Sequence, residues 1–384
     1  MSGVRRIDLD QNATTPVSEA ALAAMMPALR ELHGNPSSLH HSGTRARAAL
    51  EGAREAIAAE LGARASEISF TSGATESINW AIRGAAAAKP DRPRVVTTAV
   101  EHPVTSDVVR RLAREGREAV VLSVDAEGRL DLARVADELD ERVAMLSVIG
   151  INNETGVRFD VVALGELARE RGVPFHVDAA QWVGKERIDL STLPVDFLSF
   201  SGHKFGAPKG TGVLYARRGA RLRPFVWGGH QEMTRRSGTE NVPGILGMAA
   251  ALPDSLARWD RERDRIAAAR DRLEAGLAAA VPGLRRNGAG APRAANTANV
   301  CFPGIEGAAV VLSLSAAGID CSSGSACSAS DPGPSPVLVA MGVPGDLIHG
   351  AVRFSLGPGT SDADVDTAVE AAIAAWRHVA RVRT

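Results

Sequence analysis

The segments FHVDAAQ, residues 175–181, and SFSGHKFGAPKG, residues 199–210, decide how this chain is read. Each is an apolar run that stops at small and polar residues: Asp178 follows the first run and Lys204 the second. Two apolar runs ending in functional groups suit parallel strands whose carboxyl ends face a ligand. A carboxylate and a primary amine brought together over one small aromatic ring are what pyridoxal 5'-phosphate (PLP) requires. The amine forms the Schiff base, and the acid keeps the pyridinium nitrogen charged so that the ring accepts electrons.

Outward from this pair, β-branched runs at 67–71, 94–99, 119–124, 143–149, 173–177, 197–200 and 212–216 predict strands. Amphipathic stretches at 45–61, 75–88, 105–115, 131–139 and 161–171 predict helices between them. Such alternation predicts an α/β fold with a mainly parallel sheet covered on both faces, because parallel strands need crossover helices. From about residue 252 the texture changes. A charged amphipathic helix at 254–280 precedes short strands near 296–302 and 318–321. After them come a Ser/Gly/Pro-rich loop at 322–335, a strand at 351–355 and a closing helix at 362–382. At 384 residues the chain exceeds what one core usually serves. The expected division is a large domain at 15–252 and a smaller α+β domain built from 1–14 and 253–384.

Composition narrows the function. The 44 Lys+Arg balance 45 Asp+Glu, so no nucleic-acid footprint or acidic tail is indicated. Cys301, Cys321 and Cys327 are too few for a disulfide framework, and no Cys/His cluster has zinc spacing, which suits a reducing compartment and no metal. The N-terminus MSGVRRIDLDQ lacks an apolar signal core, and no apolar stretch approaches the ~20 residues of a membrane span. The expectation is a cytoplasmic protein.

Further residues can serve PLP chemistry, each with a plainer alternative. Lys204 is a solvated surface amine or a desolvated nucleophile with a lowered pKa. Asp178 caps a following helix or faces the ring nitrogen, and Gln181 can donate to the ring hydroxyl oxygen. ISFTSGATESINWAIRG, residues 68–84, reads as strand, Gly turn and helix. Its first helical amides, around Gly73, Ala74 and Thr75, point at an anion such as a phosphate, or simply start a capped helix. Ser201 and His203 can reach the same phosphate. His102 is a structural histidine, or an imidazole that lies flat on the ring and relays a proton. Arg353, on a strand, grips a substrate carboxylate or makes a surface ion pair. Cys301 and Cys321 fit buried inert thiols. Cys327, in CSSGSACSASDPGPSP, has almost nothing to bury it, and is an incidental loop thiol or one that reaches a neighbouring site as a reactive thiolate.

Taken together, the chain resembles the cysteine desulfurases of the class V aminotransferase family, the type serving nitrogenase and housekeeping iron–sulfur assembly. The resemblance runs through DQNATTP, HGNPSSLHHSG, FTSGATES, EHPVTSDVV, NNETG, HVDAAQWVGK, SGHKFGAPKG, GGHQEMTRRSGTENV, SSGSACSAS, AMG and RFSLG. It implies the PLP-dependent transferase fold of type I. It implies Lys204 as the Schiff-base lysine, Asp178 at the pyridinium nitrogen, Gln181 at the ring hydroxyl and His102 stacked on the ring. Ala74, Thr75, Ser201 and His203 fall at the phosphate, joined by Thr239 from the neighbouring subunit of a homodimer. Asn153 and Arg353 hold the substrate L-cysteine. Cys327 accepts its sulfur as a persulfide, which passes to an acceptor protein such as an iron–sulfur scaffold or a sulfur carrier. One position departs from the pattern: Pro336 stands where family members often carry His or Tyr, and proline restricts φ at the base of the loop.

Overall fold

The computed structural model describes residues 6–323 and 333–382. In chain order its strands are β1 (Ile7–Asp8), β2 (Ile68–Thr71), β3 (Arg94–Thr98), β4 (Glu118–Leu122), β5 (Val143–Ile149) and β6 (Phe175–Asp178). They continue with β7 (Phe197–Ser201), β8 (Gly212–Ala216), β9 (Arg285–Arg286), β10 (Thr297–Cys301), β11 (Ile319–Asp320) and β12 (Ala351–Ser355). Seven of them form the main sheet in the order β2-β8-β7-β6-β5-β3-β4. Only β8 runs antiparallel to its neighbours, so the sheet is mainly parallel, as the alternating pattern predicts.

Strands β5, β6, β7 and β8 are buried along their whole length, which is why they read as continuous apolar runs. Helices Ala74–Ala88 and Pro103–Arg114 cover one face, packing Ile78, Trp80, Ile82, Val108 and Leu112 against Met145 and Phe197. A larger apolar cluster joins the other face to helices His41–Glu60 and Val161–Glu170. A separate cluster gathers Leu9, Trp259, Leu273, Val300, Phe354 and Val365 around the three-stranded sheet β12-β10-β9. Chain entry also belongs there, since β1 pairs with β11 in parallel.

Three local expectations change. The helix expected at 254–280 begins earlier, at Val242, and runs unbroken through Pro253 to Ala280. Contacts with helices Glu19–Glu31 and His41–Glu60 outweigh the backbone hydrogen bond that a proline removes. Helix Glu19–Glu31 itself went unread, because its stretch is Ala-rich, carries Pro27 and leaves apolar side chains exposed. Strand β6 extends one residue further than its apolar run, so Asp178 is its last member and not a residue beyond it. Pro336 opens helix Pro336–Ala340, with Ser335 as its N-cap. At that first helical position a proline fits without loss. Among the described residues no helix is long and apolar enough to cross a membrane.

Candidate active site

Register places the chemistry. Ile149 pairs with Asp178 and Asp178 with Ser199, so β5 and β6 end level while β7 runs two residues further, to Ser201. Above them opens a cavity of about 520 Å³. Asp178, Gln181, Ser201, His203 and Lys204 line it, as do Ala74, Thr75, His102, Asn153 and Arg353. Ten of the sequence-predicted residues, scattered over 280 positions (353 − 74 + 1), are therefore neighbours.

Strand β7 turns sharply into Lys204 through the 3-10 turn Gly202–Lys204. Its Nζ donates to the carbonyl oxygens of Asn12 and Ala13 at 2.7 and 2.9 Å. This amine is held in the cavity wall rather than solvated. Asp178 is 2% exposed, and one carboxylate oxygen accepts from the Ala180 amide at 2.9 Å. Burial pushes its carboxyl up to about 6, partly offset by that hydrogen bond and by the Lys204 cation. The residues after it form turns instead of the alternative helix. An acid so buried is best ionised when a cation sits beside it.

His102 caps helix Pro103–Arg114, its Nδ1 accepting from the Val104 amide at 3.2 Å. Burial, then the nearby Lys204 charge, lowers its pKa to about 4, so the ring is neutral with its proton on Nε2. His203 is pushed to about 4 for the same reasons, and its Nδ1 meets Thr14 Oγ1 at 3.1 Å. Behind the site, His176 bridges Ser147 Oγ and Ser199 Oγ across three strands at 2.8 and 2.9 Å. Burial lowers its pKa to about 3, making it a neutral strut.

One end of the cavity suits a phosphate. Helix Ala74–Ala88 starts at Gly73 with no side-chain cap, leaving its dipole to be met by something else. A Cβ on Gly73 would approach Ser201 Oγ at 3.5 Å, and one on Gly212 would come within 2.5 Å of Gly73 Cα. Bare backbone is required there. Glu76, in the first turn, reaches back to the Ser72 amide and is neutralised by Arg236 at 2.7 Å, which keeps its pKa low without repelling an anion. At the other end, Arg353 is 2% exposed and donates to Asp10 Oδ1 at 2.6 Å and to the Asn153 carbonyl at 3.0 Å. Its ion pair joins a buried guanidinium to a partly exposed aspartate and is not a surface one. Among the described residues Arg353 Nε and Asn153 Oδ1 are buried without partners, as a site for a polar substrate would leave them. Uncapped helix start, amine, buried acid and unsatisfied polar atoms fit a phosphorylated pyridine aldehyde and an amino acid.

Thr239 is exposed and does not line its own chain's cavity. Cys327 lies outside the described residues, as do Asp331 and Pro332 at the end of its loop. Gln181 Nε2 already donates to the Asn12 carbonyl at 2.9 Å, leaving one amide proton for a ligand. Cys301 and Cys321 are buried thiols, and burial raises both, the latter to about 12.

Sequence reasoning passed over four groups. Asn12 ties the site together, donating to Thr297 Oγ1 at 2.9 Å and to the Asn153 carbonyl at 3.2 Å. Lys185, 5% exposed, donates to Asn12 Oδ1 and Gln181 Oε1. Glu101, raised to about 8 by burial, accepts from Thr98 and Ile149. Glu154, also raised by burial, accepts from Ser335 Oγ at 2.6 Å. Asn12 and Lys185 stand in DQNATTP and HVDAAQWVGK, but nothing local to either motif shows that they meet.

This chain belongs to the aminotransferase class-V family, whose model matches residues 7–368 and whose members depend on PLP. Within the family it is similar to cysteine desulfurases. Cysteine desulfurase 2 of Trichormus variabilis is 47% identical over 366 residues, 95% of this chain and 91% of that protein. Cysteine desulfurase NifS of Azotobacter vinelandii is 46% identical over 362 residues, 94% of this chain and 90% of its own. Among solved structures, a NifS-like protein superposes with a TM-score of 0.90 at 34% identity, covering 97% of this chain and 100% of that one. SspA in complex with cysteine does so with 0.80 at 32% identity, over 92% and 99%.

Proposed function

We propose that this protein is a cysteine desulfurase that converts L-cysteine to L-alanine and leaves the sulfur as a persulfide on Cys327. The carrying observation is the juxtaposition of Lys204, Asp178 and the uncapped helix start in one cavity with Arg353 and Asn153. Bound there, PLP supplies an electron sink for the Cα carbanion of an amino acid. Asp178 holds the ring nitrogen protonated, a fixed charge in place before reaction. Lys204 anchors the cofactor and, once released, moves the Cα proton from its perch on the Asn12 and Ala13 carbonyls. His102, a neutral ring lining the cavity, would face the cofactor, and Gln181 would keep a proton for its ring hydroxyl. Ala74, Thr75, Ser201 and His203 take the phosphate, while Arg353 and Asn153 orient the substrate carboxylate. The Cys327 thiolate attacks the substrate sulfur. The S–S bond forms as the Cβ–S bond breaks, and the electron pair returns to carbon, which is protonated to alanine.

Thr239 completes the phosphate site of a second copy. Leu22, Met26 and Leu29, exposed along one helix face, and exposed Leu39 and Trp227 favour such a homodimer. The boundaries that suit this reading are a large domain at 15–252 and a small one of 1–14 with 253–384, carrying the loop 322–335. A persulfide carrier needs a reducing compartment such as the cytoplasm, and passes its sulfur to an iron–sulfur scaffold or a carrier protein.

Cys327→Ser tests the reading. The variant should keep the yellow cofactor while losing alanine formation and persulfide labelling. A variant that still makes alanine from cysteine at the wild-type rate would assign the protein to a PLP activity that needs no loop thiol, such as a selenocysteine lyase.

A further inference from the structure

Lysine is almost never fully buried unless paired, because desolvating its charge is costly. Lys185 is 5% exposed, yet both acceptors at its Nζ are neutral amide oxygens: Asn12 Oδ1 at 2.8 Å and Gln181 Oε1 at 2.7 Å. The charges that face it are the cations Lys204 and Arg353, and with burial they lower its pKa well below the usual value. Its remaining side lies 6.0 Å from the Trp259 ring. A methionine would fill this place with less penalty. A polar group kept against local preference usually marks a functional constraint.

The constraint is visible in the direction of the bonds. The Asn12 carbonyl can only accept, so it takes the N–H end of the Gln181 amide, and the end that meets Lys185 Nζ is the oxygen. The second proton of Gln181 Nε2 is left for the cavity. The same Nζ, with Asn296 Nδ2 at 3.0 Å, fills Asn12 Oδ1. This orients the Asn12 amide toward Thr297 and Asn153, and its carbonyl holds Lys204.

We propose that Lys185 is a positioning residue: it locks the Gln181 amide with the N–H end toward the cofactor's ring oxygen and braces the Asn12 carbonyl beneath Lys204. Without it, Gln181 Oε1 loses its buried donor and the amide is held in this orientation by the Asn12 carbonyl alone. The inference rests on Gln181 serving the ring hydroxyl, as set out above.

The test uses the PLP-loaded enzyme as wild type, Lys185→Met, Lys185→Gln and Gln181→Ala. The readouts are the pH midpoint of the cofactor's visible spectral change, kcat with KM, and thermal stability. A ring oxygen with one donor fewer is more basic, so Lys185→Met and Gln181→Ala should both raise the midpoint by about one pH unit. Lys185→Gln, which keeps a donor, should fall between them and wild type. In Lys185→Met, kcat should fall roughly tenfold with KM little changed, as for a group acting on the cofactor rather than the substrate. A purely structural lysine would lower thermal stability and leave the midpoint alone. That result in Lys185→Met, or in Lys185→Gln should the former not fold, overturns the inference if Gln181→Ala still shifts. A shift in Lys185→Met without one in Gln181→Ala overturns the relay through the amide. No shift in either removes Gln181 from the ring as well. A wild-type protein that takes up no chromophore sinks the cofactor reading instead.

Discussion

Asp178→Asn separates what the active site costs the fold from what it gives the reaction. The side chain is buried and its carboxyl stands at about 6, against 3.8 for an ordinary aspartate. At about 1.4 kcal/mol per pH unit, holding it ionised in the cofactor-free chain costs about 3 kcal/mol. The folded state binds this proton more tightly than the unfolded one. The penalty therefore grows as pH rises from about 4 through about 6 and is constant above. Asparagine keeps the Oδ1 that accepts from the Ala180 amide but carries no charge to desolvate. Cofactor-free Asp178→Asn should thus exceed wild type in stability by up to about 3 kcal/mol at pH 8, and by about half that at pH 5. The loaded variant should lose roughly 10²–10³-fold in kcat, since the ring nitrogen loses its carboxylate partner. Urea unfolding of both cofactor-free proteins at the two pH values, with alanine production by the loaded ones, reads out both effects. A stability gain equal at pH 5 and pH 8, or a loss at pH 8, would refute the argument that the carboxylate is held against desolvation.

Two further perturbations test the frame around the site. Glu232 occupies a left-handed conformation (φ 47°) and is fixed there by Arg54 at 2.7 and 2.9 Å and by the Phe70 amide at 2.8 Å, all buried. Glu232→Gln leaves the buried guanidinium with only the half-exposed Glu51, at 3.2 Å, as a charge partner and should cost about 3 kcal/mol in urea unfolding; under 1 kcal/mol would mean that water reaches the pair. Gly212→Ala puts a methyl 2.5 Å from Gly73 Cα, a backbone atom that must move, and so displaces the phosphate cradle. It should weaken PLP binding at least tenfold by spectral titration, since small displacements at such sites are costly, and an unchanged dissociation constant would remove Gly73 from the cradle.

Most of the main sheet was legible because its strands are buried on both faces and interrupted by helices. Runs such as 143–149 and 212–216 coincide with β5 and β8 to the residue. Helix Glu19–Glu31 was not legible, for its exposed Leu22, Met26 and Leu29 blur the stripe on which periodicity depends. The helix through Pro253 was hidden likewise, since a local rule against proline yields to packing that the sequence does not display.

For the site, the sequence alone determined the chemical types: an amine and an acid at strand ends, a helix start after a Gly turn, and a thiol in a segment with almost nothing to bury it. Those are local properties, written within a few residues of each other. Tertiary structure decided which of them meet and in what state of charge. Register across β5, β6 and β7 set Asp178 level with its neighbours, burial raised it to about 6, and Asn12, from the first turn of the chain, joined Lys204, Gln181, Lys185 and Asn153. Desolvation and hydrogen-bond direction depend on neighbours more than a hundred positions away, and these exist only once the chain has folded.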